Sequence, residues 1–161
     1  MQERIRLLIV DDEEDFLDVI SRRLQSRGFD VTTANSGQDA LEYAAKSDFD
    51  TALVDLKMPG MDGEELIKRL KEHDATIEIV VLTGHGSLGS SVTCGRLETY
   101  GYMQKVCDIN ELVHILRRAR ASRKKKLEKI SRRRSGQHVE MTEKETVDQA
   151  AEMLKKIKGD S

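Results

Sequence analysis

Residues 5–28 read IRLLIVDDEEDFLDVISRRLQSRG. Ile5–Val10 is a short apolar run that stops abruptly at the acids Asp11–Glu14, the pattern of a buried strand followed by a turn. Phe16, Leu17, Val19, Ile20 and Leu24 then recur at helical spacing, and Gly28 ends that helix. The same unit repeats downstream. Phe29–Ala34 (FDVTTA) alternates like a strand, and Ser36 caps a second helix carrying Ala40, Leu41, Ala44 and Ala45. Asp50–Leu56 (DTALVDL) is a third strand, stopping at the turn-rich MPGMDG, and Glu64–Lys71 a third helix. Ile77–Thr83 (IEIVVLT) and Tyr100–Gln104 (YGYMQ) read as the fourth and fifth strands, and Asp108 caps a long helix starting at Ile109. Strands alternating with helices imply parallel pairing with right-handed crossovers. The expected class is therefore α/β, a doubly wound five-stranded parallel sheet.

Composition narrows the rest. Hydrophobic residues make up 38% of the 161, below the usual share for a fully globular chain, so part of the chain is expected outside the core. No stretch approaches the roughly 20 apolar residues of a membrane span, and the N-terminus does not read as a signal peptide. Two cysteines, Cys94 and Cys107, make neither a disulfide framework nor a zinc site, and read as small packing residues in a reduced, cytoplasmic protein. The net charge of −2 hides an asymmetry: residues 117–135 hold eleven Lys/Arg against the single acid Glu128, while residues 1–116 carry −10. An acidic body followed by a basic segment suggests two different jobs.

In a doubly wound sheet, ligands sit at the carboxyl ends of the strands. Those ends carry Asp11–Asp12, Asp55, Thr83 and Lys105. Three clustered carboxylates repel one another and call for a hard cation, and Mg²⁺ suits them because it takes oxygen ligands while keeping exchangeable waters. Asp55 is then a competent nucleophile for phosphoryl transfer. Lys105 and Thr83 are placed to stabilise the charge that spreads over the transferring oxygens. Taken alone, Asp11 and Asp12 read equally well as acids at a helix N-terminus, and a lone Asp at a strand end is usually a turn residue.

The pieces LLIVDDEEDF, ALVDLKMPGMDGEEL, VVLTGHGS and YGYMQK, in this order and spacing, closely resemble the receiver domain of two-component response regulators over roughly residues 4–120. The resemblance implies a flavodoxin-like strand order 2-1-3-4-5. It implies that Asp55 is the phosphoacceptor, that Asp11, Asp12, Asp55 and the Lys57 backbone carbonyl hold Mg²⁺, and that Thr83 and Lys105 act in catalysis. Thr83 is also the implied switch hydroxyl and Tyr102 the aromatic that responds with it. Lys57 and His85 occupy positions that modulate the acyl phosphate's lifetime in the family. The implied partner is a sensor histidine kinase or a histidine phosphotransfer protein, and the implied protein is a switch rather than an enzyme with an external substrate.

The chain departs from the family pattern in two places. Val106 follows Lys105 where receivers usually have Pro. A non-proline cis bond costs about 3–4 kcal/mol, so a trans bond is expected there. Ser87–Thr99 (SLGSSVTCGRLET) stands where a fourth helix belongs, yet contains Gly89 and Gly95, each costing about 1 kcal/mol relative to Ala, so a short, frayed or mobile helix is expected.

Two domains follow: a receiver over 1–121 and a basic helical C-terminal extension over 122–161 with no recognisable output domain. Nothing breaks the long helix before Gly136. Leu112, Ile115, Leu116 and Ala119 face the core, and only Leu127 and Ile130 are apolar beyond them. A second amphipathic piece is expected over Glu143–Lys158. The expected output is a phosphorylation-dependent change of the face built by the fourth helix, the fifth strand and the helix after it, controlling a partner or homodimer formation. The alternatives are a nucleic-acid-associated regulator with the basic tail as effector, or a phosphorelay shuttle. Basic runs attract phosphate, but no aromatics interleave this one.

Overall fold

The computed structural model describes residues 3–84, 95–105 and 107–158; within 137–158 it describes the side chains of Glu152 and Lys155 only. The elements are β1 (Ile5–Val10), α1 (Glu14–Gln25), β2 (Phe29–Ala34), α2 (Gly37–Lys46), β3 (Thr51–Asp55), α3 (Gly63–His73), β4 (Glu78–Thr83), β5 (Gly101–Gln104) and a C-terminal helix (Ile109–Lys158). The five strands form one sheet in the order β2-β1-β3-β4-β5, and all four pairings are parallel. This is the expected flavodoxin-like order.

The central strands β1, β3 and β4 are buried almost throughout because both faces of the sheet are covered, while the edge strands β2 and β5 are partly exposed. Successive side chains on a strand point to opposite faces. Leu8, Val10, Ala52, Val54, Ile79 and Val81 therefore pack with Ala40, Ala44, Leu66, Ile67 and Leu70 of α2 and α3. Leu7, Ile9, Leu53, Val80 and Leu82 pack on the other side with Leu17, Ile20 and Leu24 of α1 and with Leu112, Leu116 and Ala119 of the C-terminal helix. Val19 departs from the expected stripe: it is 54% exposed, because the buried face of α1 runs through positions 17, 20 and 24 and leaves position 19 on a flank.

Caps follow the sequence. The Ser36 hydroxyl accepts from Asp39 N at 3.2 Å, and the Asp62 carboxylate accepts from Glu65 N at 2.9 Å. Asp108 Oδ1 accepts from Asn110 N at 2.7 Å at the entrance to the C-terminal helix.

A second polar cluster sits at the amino ends of the strands. Arg123 Nη1 lies 3.0 Å from Asp50 Oδ1, and Nη2 lies 3.3 Å from Asp74 Oδ2. Arg6 donates from its backbone and side chain to the same Asp50. Burial alone would raise Asp50, but its bonds to Arg6 and the charge of Arg123 hold it below the usual carboxylate range. Asp74 is held low against burial by Thr76 and Arg123. Arg123 itself is buried, and the compact unit accordingly runs from Met1 to Lys124, with Lys125–Ser161 as a second unit.

The second unit is helical through Lys158, and its described side chains from Leu127 to Gly136 are exposed. The expected separate piece over Glu143–Lys158 is instead part of one continuous helix. One interior glycine, Gly136, costs about 1 kcal/mol, which is not enough to end a helix rich in Lys, Arg and Glu. No described helix is long and apolar enough to cross a membrane. The expectations for Val106, Cys94 and His85, and for most of the Ser87–Thr99 segment, fall outside the described residues; Gly95 and Arg96 are helical and Leu97 is buried.

Candidate functional site

The carboxyl ends of β1 and β3 are neighbours in the sheet, with Val10 beside Val54. The residues just past these ends therefore share one crevice. Among the described residues, Asp11, Asp12 and Asp55 each bring a carboxylate oxygen to within 4.8 Å of the others. Asp11 is fully buried, Asp55 nearly so, and Asp12 is exposed. β5 lies beyond β4 and delivers Lys105, whose backbone N–H donates to Thr83 O at 2.8 Å. The Lys105 ammonium lies 3.0 Å from Asp11 Oδ2, 3.0 Å from Glu13 Oε1 and 3.7 Å from Asp55 Oδ2. It also stands 5.1 Å from the centre of the Phe16 ring, within cation–π range.

The electrostatics follow from this packing. Burial raises both Asp11 and Asp55 above the ordinary carboxylate value. For Asp55, the charges of Asp11 and Asp12 push the same way, against the Lys57 N–H and Lys105. Burial pulls the Lys105 ammonium down, but hydrogen bonds to Asp11 and Glu13 outweigh it and leave the group above its usual value. One lysine thus faces more negative charge than it neutralises.

The donor set fits a hard cation. It is all oxygen, carries excess negative charge, and leaves Asp11 Oδ2 without a well-aligned hydrogen bond among the described residues. The Thr83 hydroxyl is buried and likewise has no hydrogen-bond partner among the described residues.

A glycine makes the crevice close. A Cβ on Gly63 would collide with the Asp55 carbonyl oxygen and would stand 2.6 Å from Leu56 Cα. Only a hydrogen fits where the start of α3 crosses the end of β3, and Gly63 N donates to Leu56 O at 3.1 Å. Gly63→Ala must displace backbone rather than a side chain. It is expected to lower stability by at least about 3 kcal/mol in denaturant melts, the upper end of overpacking costs. Gly60, at φ +83°, provides the left-handed turn in the same loop.

The family model of the response regulator receiver domain matches residues 7–117. The chain belongs to that family. The receiver is 33% identical over 111 residues to the DNA-binding transcriptional regulator NtrC of Escherichia coli K12, covering 69% of this chain and 24% of NtrC. It is 34% identical over 110 residues to the photosynthetic apparatus regulatory protein RegA of Cereibacter sphaeroides, covering 68% and 60%. The chain thus spans about a quarter of NtrC's length. A CheY-like receiver domain protein of Methanospirillum hungatei JF-1 superposes with a TM-score of 0.72 at 27% identity, covering 76% of this chain and 98% of that one.

In the receiver, Asp11, Asp12, Asp55, Thr83 and Lys105 all gather at the strand ends. Lys57 sits two residues after Asp55 and donates its backbone N–H to Asp55 Oδ1 at 3.1 Å. Tyr102 lies on β5 and is 45% exposed.

Sequence reasoning missed Glu13 and Phe16 as neighbours of Lys105. Glu13 follows the acidic pair directly, but its reach to a lysine on β5 exists only in the folded sheet. Its carboxylate is 64% exposed and competes for the Lys105 ammonium. Glu13→Gln is expected to tighten beryllofluoride binding by up to about fivefold by fluorescence titration, the range an exposed ion pair can supply (about 0.2–1 kcal/mol).

Proposed function

We propose that Asp55 accepts a phosphoryl group from a phosphohistidine partner and that this receiver works as a phosphorylation switch. The observation that carries the reading is the asymmetric environment of Asp55. Its Oδ1 is tied to the Lys57 N–H, while Oδ2 faces the Lys105 ammonium. Oδ2 is then the attacking atom. It forms the new O–P bond as the N–P bond of the donor breaks, and the imidazole leaves.

Lys105, already drawn towards Asp11, Glu13 and Asp55, pairs with the oxygens of the arriving group. The buried Thr83 hydroxyl gains its missing partner in a phosphoryl oxygen. Asp11, Asp12, Asp55 and the Lys57 carbonyl would hold Mg²⁺, which would supply charge neutralisation to an otherwise anionic pocket. Recruitment of Thr83 pulls on the strand-end backbone it shares with Lys105, and Tyr102 on β5 is an exposed large hydrophobic side chain three residues before that lysine. The output is a changed face for a partner or a second copy. The receiver is a cytoplasmic switch that acts through its own phosphorylation and dephosphorylation, and its donor is a sensor histidine kinase or a histidine phosphotransfer protein.

Incubation with Mg²⁺ and acetyl phosphate tests this directly. The expected result is the mass gain of one phosphoryl group, acid-stable and hydroxylamine-labile, and dependent on the divalent cation. No gain with Mg²⁺ present, or equal gain in its absence, overturns the reading. Size-exclusion chromatography of the beryllofluoride complex then reports whether self-association is the output.

A further inference from the structure

We propose that a basic groove at the end of the sheet opposite the acidic crevice binds the phosphodiester backbone of nucleic acid. It opens beside the start of β1 and the α1–β2 turn, with one turn after another of the C-terminal helix forming a wall. Arg4, Arg27, Arg117, Arg120 and Lys124 line it, and Glu3 is the one acid among the lining residues. Its volume is about 790 Å³.

Like charges do not converge without cause. Two of these guanidinium groups are held in place by carbonyl oxygens rather than by acids. Arg27 Nη1 donates to Arg23 O at 3.0 Å, and Arg117 Nη2 donates to Arg27 O at 3.4 Å. Neither bond neutralises charge, and each leaves further N–H groups for a ligand. Glu3 meets Arg120 at 3.6 Å but is 83% exposed, a contact that an incoming anion displaces at little cost. Residues 1–116 carry a net −10, so this groove is a local positive site on an acidic body. A polyanion is repelled from the acidic crevice and drawn to this end.

The occupant follows from geometry and composition. Positions 117, 120 and 124 share one helix face and span about 10 Å at 1.5 Å per residue, a length over which one duplex strand rises by about three phosphates along the duplex axis. Arginine forks suit phosphate oxygens. A phosphodiester backbone offers a charge at every step, denser than an ordinary acidic peptide. The only apolar lining residues are Ile5 and Ala121, so the groove lacks the apolar wedge that seats a protein on a lipid surface. The chain remains strongly basic in sequence beyond Lys124, through Arg134.

The proposal stands apart from the phosphoacceptor reading. The test measures fluorescence anisotropy of a labelled duplex of arbitrary sequence with the full chain across a salt series. The decisive variant is Arg4→Glu with Arg27→Glu, because both positions lie far outside the basic run 117–135. The groove predicts at least a tenfold loss of affinity and a salt slope shallower by about 2. Retained beryllofluoride binding certifies the fold of the variant, and Arg27→Gln alone, expected to lose affinity in the same direction, serves if the double variant does not fold. Unchanged affinity in the folded variant overturns the proposal, since the duplex would then be held by the tail alone. Tighter binding to phosphatidylserine vesicles or to polyglutamate than to the duplex overturns it as well.

Discussion

Asp55→Asn is expected to abolish phosphorylation while making the unliganded protein more stable at neutral pH. Asn keeps the shape of the side chain and retains an oxygen to accept the Lys57 N–H, so the loop after β3 keeps its anchor. It removes the nucleophile, because a neutral amide oxygen does not form the O–P bond. Mass spectrometry after treatment with acetyl phosphate and Mg²⁺ should show no phosphoryl gain. Persistence of the full gain would move the acceptor to another carboxylate and overturn the assignment of Asp55.

The stability half of the prediction follows from linkage. Asp55 is raised above its ordinary value by burial and by Asp11 and Asp12. The folded state therefore holds that proton more tightly than the unfolded chain. As pH rises from the ordinary carboxylate value through the raised one, stability is lost, so wild type at neutral pH carries a loss that is absent in acid. Asn never ionises and escapes it. Thermal melts without divalent cation should place the variant above the wild type at pH 7, with the two converging as pH falls. A lower melting temperature at pH 7 would mean that Asp55 is held by favourable contacts, contrary to its surroundings.

Arg123→Met is expected to lower stability by about 3–5 kcal/mol, the cost of removing one partner from a buried ionic cluster. Methionine keeps most of the side-chain volume, so lost packing contributes little. What remains are Asp50 and Asp74, partly buried and stripped of the guanidinium that bridges them. Asp50 keeps Arg6, and Asp74 keeps Thr76, which is neutral. The pH dependence separates this from a generic core defect. Both carboxylates are held below their ordinary value, so their contribution is present above that value and disappears as pH falls through the lowered one. The difference between Arg123→Met and wild type should therefore shrink in acid. A difference that stays constant down to the acid transition would locate the effect in packing alone. The same substitution should leave beryllofluoride binding at the opposite end of the strands intact.

Arg123 also shows where reading the chain alone stops. In sequence it is one of eleven basic residues in a run that looks uniformly solvated, and a domain boundary at 121 is the natural reading. Nothing local distinguishes it from Arg118 or Arg132. It differs because helical geometry turns position 123 towards the sheet, where Asp50 and Asp74 converge from two separate loops. Glu13 is the same case at the other end. Its neighbours Asp11 and Asp12 declare themselves by standing at a strand end, but its pairing with Lys105 depends on how far β5 lies from β1 across the sheet. Gly63 reads as one more turn residue, yet the reason for it is the Asp55 carbonyl lying where a Cβ would stand.

What the sequence determined by itself was the class of fold and the membership of the carboxylate–lysine crevice. Apolar runs of strand length, each halted by a polar residue and followed by a helical period, force a parallel sheet, and a parallel sheet brings all its carboxyl ends to one edge. That inference is local chemistry plus a topological rule, so it needs no coordinates. The tertiary structure alone decided which groups are within bonding distance: the lysine shared among Asp11, Glu13 and Asp55, the Thr83 hydroxyl buried without a hydrogen-bond partner among the described residues, the Arg123 bridge and the basic groove. The reason is range. Hydrogen bonds and desolvation act over a few ångströms between residues far apart in the chain, and no periodicity along the chain records where such residues meet.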